Sequence, residues 1–346
     1  MDPVSHGVVG AVCAALPASV RREELRTASL VGGIAALLPD LDVLIRSTQD
    51  PLLKLEYHRH FTHALAFIPI GAAVAWLFAM LLLRLLRMKP ISRSRIYLYS
   101  LVGYGTHGFL DAATSYGTQL LWPFSVERIA WSIIGIVDPL FTVTLLVLLV
   151  VSTVRRSALL CKAALLFGLC YLSIGFIQRE RAEQHATRVA VESGLQLSAR
   201  GCEAKPSPLT LTLWRSICET TDNRFITGAW YLGPLGAVRH YPGVATPKFS
   251  IERDAPWLRE GSRQYRDLKR FEWFSSGFIT PHPEHEHVIG DLRYSMLPHR
   301  VSPLWGIVLD PQDPREERPT PFRSFRTIVD RDYATFFSMV RGKALP

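Results

Sequence analysis

The sequence predicts an all-α helical membrane bundle of about five to six helices, followed by a soluble, mainly β domain with some helix (α+β). Three observations carry this. Hydrophobic residues make up 48% of the 346 and charged ones only 20%, and the mean hydropathy of +0.15 is high for a soluble enzyme. The apolar residues are concentrated before Gln178. Beyond it, short apolar runs are punctuated by Pro and Gly, as strands joined by turns are. The boundary predicts a membrane-embedded domain over 1–178 and a soluble domain over 179–346. Gly and Pro follow no fixed period, which excludes collagen-like and solenoid chains.

The elements can be taken in order. Residues 3–16 are apolar but too short for the ~20 residues of a spanning helix, so they read as a short helix tucked into the bundle. Residues 28–45 and 96–113 are apolar segments that carry Asp or His. Residues 62–83 and 158–177 are long enough to cross a bilayer, as are 129–154, broken only by Asp138-Pro139. The run RERAEQHATRVAVES is polar and helix-like. The runs LTLTLWRSIC, FITGAWYLG, FEWFSSGFI, VIGDLRYSM and LWGIVL read as strands.

Basic residues orient the bundle. The connections after the first, third and fifth helices hold Arg21, Arg22, Arg26, Arg84, Arg87, Lys89, Arg93, Arg95, Arg155 and Arg156. Those after the second and fourth hold Arg46, Lys54, Arg59 and Arg128. The positive-inside rule therefore places the first set in the cytoplasm and the C-terminal domain outside it, in the periplasm of a Gram-negative cell. The net charge of +9 is explained by such loops, and no nucleic-acid partner is expected.

This topology gathers the polar residues at the outer level. His6 starts the first helix, Asp40 and Asp42 end the second, and His58, His60 and His63 open the third. His107 and Asp111 end the fourth, and Asp138 lies a few turns into the fifth. Ionisable groups beside membrane segments are costly, so they pair, bind metal or line a polar cavity. His107-x-x-x-Asp111 puts an imidazole and a carboxylate on one helical face. Imidazole with carboxylate and no thiolate suits zinc, manganese or iron, zinc foremost. The competing reading is a hydrogen-bonded polar cluster that only holds helices together.

The order MDPVSH, LLPDLD, YHRHFTH, GYGTHGFLDAATSYGTQLLWPFS resembles the YdjM-like family of inner-membrane-associated metal-dependent hydrolases over residues 1–140. That family is in turn similar to the helical metallohydrolases that include zinc-dependent phospholipase C and single-strand nucleases. The LWRS, FEWFSSGF and VIGDLRYSM runs resemble the extra C-terminal domain of its longer members. The matching residues are His6, Asp40, Asp42, His58, Arg59, His63, His107, Asp111 and the loop Trp122-Pro123-Phe124-Ser125. Family members often have Gly where this chain has His60, so His60 is not taken as a ligand.

The resemblance implies metal ligation by His6, Asp40, Asp42, His58, His63, His107 and Asp111. Asp42, Arg59 and Asp111 are the catalytic candidates: either carboxylate as a base, and Arg59 offsetting phosphate charge. The implied activity is hydrolysis of a phosphoester, in a phospholipid or lipid-linked substrate, at the outer face of the inner membrane. A non-catalytic metal-binding protein and a cation transporter are the other classes. A transporter should carry polar groups toward both faces and often an inverted repeat, and neither is visible. Asp138-Pro139 reads as a kink or a site residue, and HPEHEH (His282, His285, His287) as a solvated loop rather than a second metal site. Cys202 and Cys218 lie where a disulfide can form, although sequence leaves open whether they meet. Cys13, Cys161 and Cys170 are expected to be reduced and buried.

Overall fold

Residues 1–19, 21–313, 318–326 and 330–345 are described by the structure, a computed structural model. An N-terminal helical region is followed by antiparallel sheets. The chain forms two compact units. The first comprises Met1–Leu44, Tyr57–Phe176 and Pro208–Thr210, and the second Ile45–Glu56, Ile177–Ser207 and Leu211–Pro346.

In the first unit, α1 (Pro3–Ala18) starts with Pro at its first position, behind Asp2. The Asp2 carboxylate accepts the Ser5 N–H at 3.0 Å, a side-chain N-cap. α2 (Leu25–Ala35) is shorter than the expected 28–45 helix. Pro39 cannot donate to the α-helical ladder, so Pro39–Leu44 forms a 3-10 turn that carries the PDLD carboxylates. After α3 (Leu53–Tyr57), two 3-10 turns, Phe61–His63 and Leu65–Phe67, precede α4 (Ile68–Leu85). α5 (Arg93–Ala112) follows.

Small residues let α1, α2 and α5 pack backbone to backbone. A Cβ on Gly32 would lie 2.2 Å from Ala14 Cβ and 2.6 Å from the Gly10 carbonyl oxygen. One on Gly103 would lie 2.2 Å from the Gly32 carbonyl oxygen. Such crossings gain close van der Waals contact between backbones. They bring the start of α1, the turn after α2 and the end of α5 to one level.

The segment 113–138 overturns the expected span over 129–154. It is an irregular strap, tied back by Trp131 N–H and Ile133 N–H donating to the Ala112 and Ala113 carbonyls. Trp122-Pro123 within it is cis. Helix resumes only at α6 (Pro139–Arg155), because a residue before Pro disfavours helical backbone whereas Pro suits the first helical position. Asp138 is therefore a cap rather than a mid-helix residue. It accepts Phe141 N–H at 3.2 Å and the Tyr171 hydroxyl at 2.7 Å.

α7 (Ala158–Glu192) runs on through the polar stretch after Gln178. Among the described residues, three segments are long and apolar enough to cross a membrane: Arg22–Leu44, Leu65–Leu85 and Ala158–Glu192. The α4 packing is inverted relative to a soluble helix. Ala72, Ala75 and Ala79 are buried, whereas Ile70, Val74, Leu77 and Leu81 are exposed. Cys161 is buried as expected, but Cys13 is only partly so and Cys170 is exposed, on the outward side of α7.

In the second unit, β1 (Leu197–Pro206), β2 (Leu213–Thr220), β3 (Arg224–Leu232) and β4 (Val238–Pro247) form an antiparallel meander. After α8 (Ile251–Asp254) and α9 (Arg263–Phe274), a second meander follows: β5 (Ile279–Pro281), β6 (Val288–Asp291), β7 (Trp305–Val308) and β8 (Phe322–Ser324). α10 (Asp330–Val340) closes the unit. FEWFSSGFI is not one strand. Leu268, Phe271 and Phe274 are buried at helical spacing, so its first half ends α9 and only Ile279 enters β5. Ile217, Phe225, Phe278, Leu292 and Val301 form one core cluster. Cys202 and Cys218 are paired across β1 and β2 and joined as a disulfide.

Candidate metal centre

All seven sequence-expected ligands lie in the first unit, on four separate pieces of backbone. Those pieces are the start of α1, the Pro39–Leu44 turn, the 57–63 segment and the last turn of α5. The approach of 57–63 to α5 depends on Gly108, where a Cβ would lie 2.4 Å from the His63 carbonyl oxygen.

Four donors converge in the interior: one atom each from Asp40, His63, His107 and Asp111. His63 Nε2 and His107 Nε2 are 2.9 Å apart. Asp111 Oδ2 lies 3.2 Å from the first and 3.4 Å from the second. Asp40 Oδ1 lies 3.7 Å and 3.4 Å from them. A tetrahedral ion with bonds of about 2.1 Å needs donors about 3.4 Å apart. The residues fit a metal ion.

The hydrogen bonds of the two imidazoles point the same way. His107 Nδ1 is 2.6 Å from the Ala36 carbonyl oxygen, which can only accept, so Nδ1 carries the proton. His63 Nδ1 faces the Asp42 carboxylate at 3.2 Å and Thr62 Oγ1 at 3.0 Å. Thr62 itself donates to Asp42, so its oxygen accepts from His63. Both rings therefore turn their Nε2 atoms toward one point. A cation or a shared proton must separate them. Asp111 Oδ2 is buried and faces both Nε2 atoms and the Arg59 guanidinium.

Arg59 sits beside this cluster with a positive φ of 65°. Its Nε is 3.1 Å from Asp111 Oδ2, and its Nη1 donates to Thr114 Oγ1 at 2.9 Å. The guanidinium also lies 4.8 Å from the Tyr116 ring centroid. It is buried and committed to the Asp111 carboxylate. Asp42 is equally engaged: it meets His58 Nδ1 at 2.8 Å and accepts the Arg59 backbone N–H at 2.8 Å.

His6 does not join the four. Its Nε2 is 3.0 Å from Asp111 Oδ1, which also faces the Met1 amino group, and its ring stacks on His107 at 3.6 Å. Asp42 and His58 form a separate donor group with Asp40. His60 belongs to neither group and packs near Trp122, ring centroids 5.4 Å apart. The His282 and His285 rings lie tilted to one another, centroids 4.6 Å apart, beside Phe325, and His282, His285 and His287 enter no donor group among the described residues. Sequence reasoning missed the supports: Thr62, the Ala36 carbonyl and Tyr116. Thr62 and Tyr116 lie inside the YHRHFTH and ATSYGTQ runs, but backbone acceptors leave no residue-type signal.

The family model described as "YdjM inner membrane protein" matches residues 1–182, more than half of the chain. The chain belongs to the YdjM inner membrane protein family. The matched region contains every residue of the cluster. The chain is also 29% identical over 112 residues to the uncharacterised protein YfhP of Bacillus subtilis, a stretch covering 32% of each. It thus spans about a third of that relative's length. No solved structure matches.

Proposed function

We propose that this family member is a multi-pass membrane protein whose polar cluster binds a divalent metal, zinc foremost, and hydrolyses a phosphoester. The reading supposes a membrane domain over 1–178, with the cluster and a soluble 179–346 domain on the periplasmic side. The observation that supports the metal is the pair of Nε2 atoms 2.9 Å apart, closed in by two carboxylates. Asp40, His63, His107 and Asp111 would hold it, and manganese or iron would also suit the donor set. A metal bound there supplies a water that ionises near neutral pH and a Lewis acid for a phosphoryl oxygen.

The chain's own residues prepare that chemistry. The Ala36 carbonyl and the Asp42 carboxylate orient the two imidazoles, as outer-shell acceptors do in metal sites. Arg59 offsets the carboxylate charge through Asp111. Asp40 and His58 are each 25% exposed, so the cluster is reached from one side. A phospholipid or lipid-linked phosphoester is the substrate class that a site at the edge of apolar helices favours.

The test is metal analysis of purified protein together with a phosphoesterase screen that includes lipids. His63→Ala and Asp111→Ala should lose most of the metal and all activity while remaining inserted in the membrane. Full metal content in both variants returns the cluster to hydrogen bonding alone. Metal without turnover on any phosphoester favours a non-catalytic, regulatory role.

A further inference from the structure

The strap between α5 and α6 carries a closed loop that the metal reading does not use. Thr118 and Ile129 exchange backbone hydrogen bonds at 3.0 and 2.9 Å, which shuts the loop at its base. Inside it, the Phe124 and Ser125 N–H groups donate to the Leu121 carbonyl at 2.9 and 3.1 Å, so the tip is a fixed turn. The tip is apolar. No charged residue occurs from Ala112 to Val126, and Leu121, Phe124 and Val126 are 45%, 89% and 63% exposed. Apolar side chains presented together by a hydrogen-bonded turn mark a surface that meets an apolar partner.

We infer that Leu121, Phe124 and Val126 form a lip that inserts into the lipid leaflet at the headgroup boundary. This rests on the membrane reading above and not on the metal. Its first support is continuity with the surface that lipid would cover. Leu65 N–H donates to the Leu120 carbonyl at 2.9 Å, and Leu65 opens the Leu65–Leu85 segment, which is long and apolar enough to span. From there the exposed Ile70, Val74, Leu77 and Leu81 continue along α4. The loop therefore leaves the fold where that segment begins.

The second support comes from the preceding candidate span, Arg22–Leu44, whose last turn exposes Leu41, Val43 and Leu44. Consecutive spans end and begin on one membrane face, so this turn and the lip lie at the same boundary. The third is the chemistry of the loop. Irregular backbone is not tolerated bare in hydrocarbon, whereas aromatic side chains suit the headgroup level. The side chains enter and the backbone stays at the boundary. Trp122 stiffens the lip by packing on His60 and Phe61, ring centroids 5.4 and 6.2 Å apart. Gln119 N–H donates to the Arg59 carbonyl at 3.0 Å, which pins the loop to the 57–63 segment and sets that segment at the headgroup level.

The experiment uses the full-length protein in vesicles of phosphatidylethanolamine and phosphatidylglycerol. Cys13, Cys161 and Cys170, which lie outside the disulfide, are replaced by Ala, and a fluorophore is attached through Phe124→Cys, Leu77→Cys or Asn223→Cys. Each label is titrated with iodide and with lipids that carry a nitroxide near the headgroup or at the chain end. The Phe124 label should be quenched several-fold more by the headgroup-proximal nitroxide than by iodide or the chain-end nitroxide. Leu77, on the outward side of α4, should favour the chain-end nitroxide, and Asn223, in the β2–β3 turn, iodide. Iodide quenching at Phe124 equal to that at Asn223 overturns the lip. Protection from iodide and from both lipids overturns it too, because a second copy or another protein then covers the loop. Leu77 without lipid quenching sinks the membrane reading and the lip together. Phe124 replaced by p-benzoylphenylalanine in the otherwise native chain needs no cysteine changes. Illumination should then give lipid adducts by mass spectrometry, and protein adducts alone overturn the proposal.

Discussion

At the scale of single residues, the centre depends on what is missing as much as on its donors. Gly108 is the clearest case. An added Cβ would meet the His63 carbonyl at 2.4 Å and Leu120 Cδ2 at 2.9 Å. Backbone cannot yield as a flexible side chain can, so Gly108→Ala should push the 57–63 segment off α5 and part His63 from His107. Overpacking of this kind costs about 1–3 kcal/mol, so metal affinity should fall about tenfold or more. Gly105, one turn earlier, is the control: a Cβ there meets nothing closer than Ile68 Cγ2 at 3.8 Å. Equal metal affinities for the Gly105→Ala and Gly108→Ala proteins, measured by competition with a chelator, would refute this account. The donors themselves were legible in the sequence, because His and Asp beside apolar segments are too costly to be idle. Their division was not. His6 differs from His107 by stacking against it and bonding the far oxygen of Asp111, and nothing in residue type or spacing encodes that.

At the scale of elements, periodicity located helices well and their ends poorly. The 129–154 stretch is apolar throughout, but Asp138-Pro139 starts a helix instead of bending one, and the preceding residues are held as a strap by hydrogen bonds to Ala112 and Ala113. FEWFSSGFI misled in the opposite direction, since a helix end and a strand start share one apolar run. The β1–β2 disulfide belongs to this scale. Cys202 and Cys218 are 16 residues apart, a loop for which the chain-entropy model gives about 3 kcal/mol. Reduction, or Cys202→Ser, should lower the urea midpoint of the 197–345 region measurably while leaving its native fold intact. Unchanged midpoints, or two freely alkylated thiols in the native oxidised protein, would show that the bridge contributes nothing there.

At the scale of the whole molecule, the chain does not divide at a single point. Residues 45–56 belong to the second unit although they lie between Asp42 and His58 in sequence. Within that unit Arg270 reaches Asp50 at 2.8 Å and Asp267 at 2.8 Å, and also pairs with Glu56. Burial raises the Asp50 pKa, but the hydrogen bond and charge of Arg270 more than offset this and hold it below its ordinary value. A carboxyl lowered on folding stabilises above its unfolded pKa of about 3.9 and loses that contribution as pH falls through the folded value. The 45–56 segment should therefore become protease-sensitive at acid pH, and at neutral pH in Arg270→Ala. Resistance of that segment in both cases would show that the ion pairs do not hold it. The proposed orientation is tested at this scale as well. A reporter at the C-terminus should be active only outside the cytoplasm and one in the 84–95 connection only inside, and the reverse pattern overturns the outward-facing site.

The sequence by itself determined the helical region with its apolar spans, the sheet-rich C-terminal part, the family, and the residues that could bind metal. These follow from local quantities: hydropathy, period, and the cost of ionisable groups beside apolar helices. Only the tertiary structure decided which donors converge, where helices begin, and that Cys202 meets Cys218. The convergence of the donors depends on backbones approaching through Gly10, Gly32, Gly103 and Gly108 and on carbonyl acceptors such as that of Ala36, and the disulfide on the pairing of β1 with β2. Close approach and backbone acceptance are properties of pairs distant in sequence, so no single segment announces them.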